Sequence, residues 1–222
     1  MLPRTMDATW LLERLVILIP LILSLSVHEW AHAYSAYRLG DDTAARLGRM
    51  TLSPLSHIDI FGTVLLPLMG VPFGWAKPVP VNPTRFHRRF RMRTAMMITA
   101  SAGPVSNLVL ALFCIVLMGL LMRLAPALYV ETPAIGTLLQ IGFRINIALA
   151  VFNMLPIPPL DGSRVADWMM PLRLRPIWER FSQYGFVVLM VLMFMPGVRL
   201  MQWPIEQATR AALSLLHIVV GA

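Results

Sequence analysis

Apolar residues fill this chain in long runs, and the polar stretches that separate the runs are crowded with arginine and proline. Three runs, residues 10–37, 94–122 and 134–155, reach or exceed the roughly 20 residues a helix needs to cross the hydrocarbon of a bilayer. A fourth, 178–196, approaches that length. Residues 203–220 are amphipathic at first and apolar later, so they either return across the membrane or lie on it. The pattern predicts an all-α polytopic membrane protein, one domain over 1–222, with a three-helix core and additional C-terminal helices.

The connection 38–93 is different. Its apolar part, 60–70, is short and interrupted by Gly62, Pro67 and Gly70, which predicts a re-entrant or interfacial β-hairpin whose backbone is satisfied by protein or a wet cavity. Pro78, Pro80 and Pro83 then keep the chain extended. Residues 75–81, with Trp75, Val79 and Val81, offer an edge on which another extended chain could pair, a candidate substrate-binding element.

Composition agrees with a chain dissolved in lipid. Hydrophobic residues make up 57% of the 222 and charged residues only 14%, against about 25% charged in soluble domains. The net charge of +8 raises the question of nucleic acid, but its distribution answers it. Arg85, Arg88, Arg89, Arg91 and Arg93 crowd just ahead of an apolar run, as a cytoplasmic flank does, and no nucleic-acid partner is expected. The same rule puts 38–93 and the basic stretch 163–182 in the cytoplasm and the N-terminus outside. The single cysteine, Cys114, lies within a span, so neither a disulfide nor a thiolate zinc site is available. The first apolar run reads as a retained span rather than a cleaved signal, because no small-residue cleavage site follows it.

Chemistry is expected where polar residues interrupt the apolar runs, since ionisable groups in a span are costly. His28-Glu29-Trp30-Ala31-His32 is an HExxH sequence near the far end of the first span. On a helix His28 and His32 stand one turn apart on one face and can share a zinc ion, with Glu29 beside the open position as a base. In the second span, 101–107 is rich in small residues. Asn107 can hydrogen-bond across a close helix contact there, as part of a packing kink or in support of the site. Asn146 and Asn153 are seven residues apart and share a face of the third span, whereas Arg144 points elsewhere, to snorkel or pair. Residues 153–162 break that helix and bring Asp161 to the depth of His28 and His32, the one carboxylate the topology delivers as a third ligand. His57 and Asp59 either hold a ligand or gate access, or act as local caps; His87 and His217 are read as non-ligands.

Three motifs, HExxH at 28–32, a GPxxN-like 103–107 and an NxxPxPxxDG-like 153–162, resemble those of the site-2 protease family of intramembrane zinc metalloproteases, over most of residues 10–165. The resemblance implies hydrolysis of peptide bonds inside transmembrane segments, usually in regulated intramembrane proteolysis. It implies one zinc per chain held by His28, His32 and Asp161, Glu29 as general base, and Asn153 as a donor near the scissile carbonyl. The chain looks like a minimal form without PDZ or CBS domain. The partners expected are a transmembrane protein or peptide substrate and the bilayer, in a bacterial cytoplasmic membrane, with the oligomeric state left open. A silent membrane adaptor and a metal transporter are the alternatives. Glu29, which an adaptor has no use for, and the lack of a polar path through the later spans argue against them.

Overall fold

The computed structural model describes residues 8–69, 74–194 and 198–220. Its longer helices are α1 (Ala8–Arg38), α2 (Met92–Leu124), α3 (Pro133–Asn153), α4 (Gly162–Met169), α5 (Arg175–Gln183), α6 (Gly185–Phe194) and α7 (Val198–Val220). Three helical stretches, Arg14–Arg38, Met92–Leu124 and Pro133–Asn153, are long and apolar enough to cross a membrane. They follow one another up, down and up, so the end of α1, the start of α2 and the end of α3 share one end of the bundle.

Local sequence sets the helix ends. Gly40, at φ 111°, closes α1 in a conformation that favours glycine, and its N–H returns to Tyr37 O at 3.0 Å. Pro133 opens α3 at a position where the missing N–H has no intrahelical partner to lose. Between spans the packing is close: Ala111, Ile115 and Met118 of α2 meet Phe143 and Ile147 of α3, with Ile205, Ala208 and Ala212 of α7 against them. Apolar contact gains little over lipid, so this fit, and the polar contacts described below, must hold the helices together. At the basic end, Ala36 of α1 and Leu39 just beyond it pack with Phe86 and Ala95. α4 is tied to the start of α2 by the Arg93–Asp167 ion pair (3.2 Å) and by Trp168 Nε1–H to Thr94 Oγ1 (3.2 Å).

Two expectations from the apolar pattern need correction. No strand occurs among the described residues, and the β-hairpin expected in 60–70 is replaced by a wide helical turn, Ile60–Leu65, continued by Leu66–Leu68. The cause is a local cap. Asp59 Oδ1 accepts from Gly62 N–H (2.8 Å) and Asp59 O from Thr63 N–H (2.8 Å), which winds the chain before any strand can pair. Residues 70–73 of that stretch lie outside the described residues. In the run 178–196 the helix divides at Tyr184 between α5 and α6, so the run taken from residue 178 is not one continuous helix, and residues 195–196 lie outside the described residues. Gly185 sits so close to the 154–161 loop that a Cβ there would meet Pro158 O at 2.5 Å. The segment 203–220 falls within α7, lying along α2 and α3.

Candidate metal centre and active site

His28 and His32 stand one turn apart near the end of α1, both buried, and each ring is held from behind by α2. His32 Nδ1–H donates to Thr99 O at 2.8 Å. His28 Nδ1 lies 2.6 Å from Asn107 Oδ1. Asn107 Nδ2 donates to Asn146 Oδ1 (2.8 Å), and Asn146 Nδ2 donates in turn to Ser24 Oγ (2.8 Å) and Gly142 O (2.8 Å). The chain of amides fixes its own direction. Asn107 Oδ1 is an acceptor, so His28 carries its proton on Nδ1, as His32 does.

In the neutral imidazoles that metal binding requires, both Nε2 atoms present lone pairs, and they face each other at 3.0 Å. Asp161 Oδ2 completes the triangle, 3.2 Å from His28 Nε2 and 3.3 Å from His32 Nε2, buried and with no hydrogen-bond donor of its own. Three such acceptors repel one another unless a proton or a metal cation joins them. Zinc bonded at about 2.0–2.1 Å in a tetrahedron separates neighbouring ligand atoms by about 3.3 Å, close to all three distances here. The donor set thus fits zinc, and among the described residues these three are the group placed to hold a metal.

Two glycines make the triangle possible. A Cβ on Gly103 would lie 2.5 Å from His28 Cε1 and His32 Nε2, so both imidazoles rest where only glycine leaves room. A Cβ on Gly162 would lie 2.2 Å from Met154 O, so the loop that carries Asp161 folds back on itself only with glycine at its end.

Glu29, 8% exposed, lies outside this group of three. Its Oε2 accepts from Val79 N–H at 2.8 Å. A cavity of about 530 Å³ opens from His28, His32, Asp161 and Glu29, walled by Trp75, Phe152, Asn153, Phe186 and Leu189, within the size range of ligand sites. Asn153 lines it, with Nδ2 donating one proton to Leu149 O (3.1 Å) and another left over.

The expected substrate edge is only partly available. Trp75 and Val81 line the cavity, the indole lying against Gly62 where a Cβ would meet it at 2.5 Å. The N–H groups of Trp75, Lys77 and Val79 are engaged by Gly62 O, His57 O and Glu29, and Pro78 and Pro80 have none. Ala76 and Val81 keep the N–H groups without a partner among the described residues. His57 is buried away from the ligands, with Nε2–H donating to Thr51 O (2.8 Å), and Asp59 caps the helical turn. The structure brings His28, Glu29, His32, Asn107, Asn153 and Asp161 together and leaves His57 and Asp59 outside. Sequence reasoning missed Ser24 and Thr99. Thr99 acts through its carbonyl, for which no side-chain signal exists, while Ser24 lies one helical turn before His28.

Residues 127–196 match the Peptidase family M50. Over 205 residues the chain is 39% identical to "Putative zinc metalloprotease YwhC" of Bacillus subtilis (strain 168), covering 92% of this chain and 91% of that protein. It is 29% identical over 179 residues to "Putative zinc metalloprotease Rip2" of Mycolicibacterium smegmatis, covering 80% of this chain and 66% of that protein. A 69-residue stretch is 46% identical to "Putative zinc metalloprotease MJ0611" of Methanocaldococcus jannaschii, 31% of this chain and 32% of that protein. No solved structure matches the chain.

Proposed function

This chain belongs to peptidase family M50, the site-2 protease family of zinc metalloproteases, and from that premise we propose that it is an intramembrane endopeptidase that cuts transmembrane segments of membrane proteins. The observation that carries the reading is the convergence of two imidazole nitrogens and a carboxylate oxygen beside a second, buried carboxylate, in a cavity at the end of three apolar helices. In this reading His28, His32 and Asp161 hold the zinc. The ion, when bound, acidifies a water and polarises the scissile carbonyl.

Glu29 is the general base. Val79 N–H occupies its Oε2 and leaves Oε1 to take the proton of the attacking water and deliver it to the leaving amine. The spare N–H of Asn153 is placed on the cavity wall to meet negative charge growing on the substrate carbonyl oxygen, a contact worth about 3 kcal/mol in a dry site. A substrate helix hides its amides in its own hydrogen bonds, so part of it must be held open. Residues 75–81 do this through the free N–H groups of Ala76 and Val81 rather than through a full ladder. The basic segments lie on the cytoplasmic side of a bacterial cytoplasmic membrane, which puts the site near that face.

The test compares purified wild type, Glu29→Gln and Asp161→Ala on a transmembrane substrate, with zinc content measured alongside. Glu29→Gln keeps zinc and loses hydrolysis by at least about 100-fold, since the amide preserves shape and removes the base. Cleavage at near wild-type rate in that variant refutes the base assignment. Asp161→Ala loses zinc together with activity, and unchanged zinc affinity there means another third ligand.

A further inference from the structure

We propose that Arg49 is a positioning residue for Glu29, acting through the peptide unit that joins Pro78 to Val79. The proposal rests on Glu29 being the general base. One Arg49 nitrogen, Nη2, donates to Lys77 O at 2.8 Å and reaches Pro78 O at 3.3 Å. The N–H of the next residue, Val79, donates to Glu29 Oε2 at 2.8 Å. Pro78 C=O and Val79 N–H belong to one planar trans unit and point in opposite directions. The guanidinium therefore sits at one end of this peptide dipole and the carboxylate at the other.

Each end alone fixes little. An N–H held only by a carboxylate can follow it as the side chain rotates, and the base then loses its aim. With a cation on the carbonyl side the plane has one favoured orientation, in which N–H points at Glu29. The Pro78 ring fixes φ of Pro78, Pro80 confines Val79 to extended backbone, and the Val79 side chain is packed with Ala33 and Ala44 of the core. The carbonyl side is the part left for Arg49 to fix. The chain is shaped to bring Arg49 there: Gly48 takes φ 66° after the turn Thr43–Arg46, and Arg49 N–H returns to Ala44 O at 2.8 Å. The guanidinium suits the task because its hydrogens are directed and always present, whereas an ammonium spends more of its donors on water.

Arg49 touches none of His28, His32 and Asp161 and does not itself line the cavity, which it reaches only through the backbone oxygen of Pro78, so its loss should act on Glu29 through this peptide unit. The experiment uses the full chain in detergent with a transmembrane substrate and compares wild type, Arg49→Ala, Arg49→Gln and Arg49→Lys. It reads kcat and KM, zinc affinity, and hydrogen exchange of the Val79 amide in the zinc-loaded and zinc-free protein. In Arg49→Ala, kcat falls about 10- to 100-fold, the size of effect that an ångström-scale misplacement produces, while KM and zinc affinity stay within about twofold. Val79 exchange rises at least about tenfold in both metal states, and Arg49→Lys recovers only part of both losses. If Arg49→Ala does not fold, Arg49→Gln carries the same comparison, since its side chain is shorter and uncharged. The proposal is overturned by an unchanged kcat, by a lower kcat with unchanged Val79 exchange, or by a rise confined to KM. Glu29→Gln separates the two ideas. Activity in that variant removes the base assignment and this proposal with it, whereas an inactive Glu29→Gln beside an unaffected Arg49→Ala removes the positioning role alone.

Discussion

Gly103→Ala should separate metal affinity from fold stability. The added Cβ lies 2.5 Å from both His28 Cε1 and His32 Nε2, and 2.6 Å from His28 Nε2, whereas ordinary contact begins near 3.4 Å. The imidazoles must retreat by about 1 Å, and neither can pivot freely. His28 is held at Asn107 and His32 at Thr99 O. Zinc ligation tolerates displacements of about 0.2 Å, so a shift of this size moves at least one nitrogen out of bonding range. Altering only the support behind a ligand already costs 10- to 100-fold in affinity, and direct displacement should cost at least about 100-fold, or about 2.7 kcal/mol. The helix itself gains, because alanine is about 1 kcal/mol better than glycine in a helix interior. The assay is a chelator competition for zinc on the detergent-solubilised protein, with thermal unfolding of the zinc-free form in parallel. Zinc affinity within about threefold of wild type would refute the crowding argument, and a large fall in zinc-free stability would mean that the alanine damages packing rather than ligation.

Three further substitutions test other parts of the frame. Asn107→Leu removes the acceptor of His28 Nδ1 and should lower zinc affinity about 10- to 100-fold, read by the same competition. Gly162→Ala places a Cβ 2.2 Å from the backbone oxygen of Met154, so the Asp161 loop must open, and zinc and activity should fall together while α1–α3 helicity by circular dichroism is kept. Arg144, exposed on α3 and without a hydrogen-bond or ion-pair partner among the described residues, should be replaceable by leucine with unchanged cleavage. Membrane insertion of α3 in a reporter assay should improve by about 3 kcal/mol.

The parts of the site that follow from spacing were legible in the sequence. His28 and His32 meet because a helix brings residues four apart to one face, and Asp161 meets them because the break after Asn153 falls at the same end of the bundle. The β-hairpin was misread because a short apolar run suits a strand or a helical turn equally, and Asp59 with Gly62 and Thr63 tips the balance by hydrogen bonds of a few residues' range. That signal was present as a cap and was outweighed by the glycines and the proline. The break at Tyr184 had no local mark. It is set by the approach of Gly185 to Pro158, a tertiary contact that periodicity does not record. Gly103 was visible as a small residue, but its reason is the pair of imidazoles against it and needed the three-dimensional arrangement.

The polar chain behind His28 serves two physical needs at once. In water, burial of apolar faces would assemble α1, α2 and α3, but in a bilayer the lipid tails offer those faces nearly the same contact, so association needs close packing and hydrogen bonds. Ser24, Asn146, Asn107 and His28 supply such bonds across all three helices, with both Asn107 and Asn146 almost wholly buried. The chain ends on a metal ligand, and the direction of its hydrogen bonds is the direction that leaves the His28 Nε2 lone pair facing His32 and Asp161. An unpaired amide in this interior is costly, so the helices have one favourable arrangement, and in that arrangement the ligand triangle is already formed. Zinc therefore meets a site whose ordering was completed by the assembly of the bundle. By linkage, binding must stabilise the helix contacts that fix the site, and any change that loosens those contacts must weaken the metal.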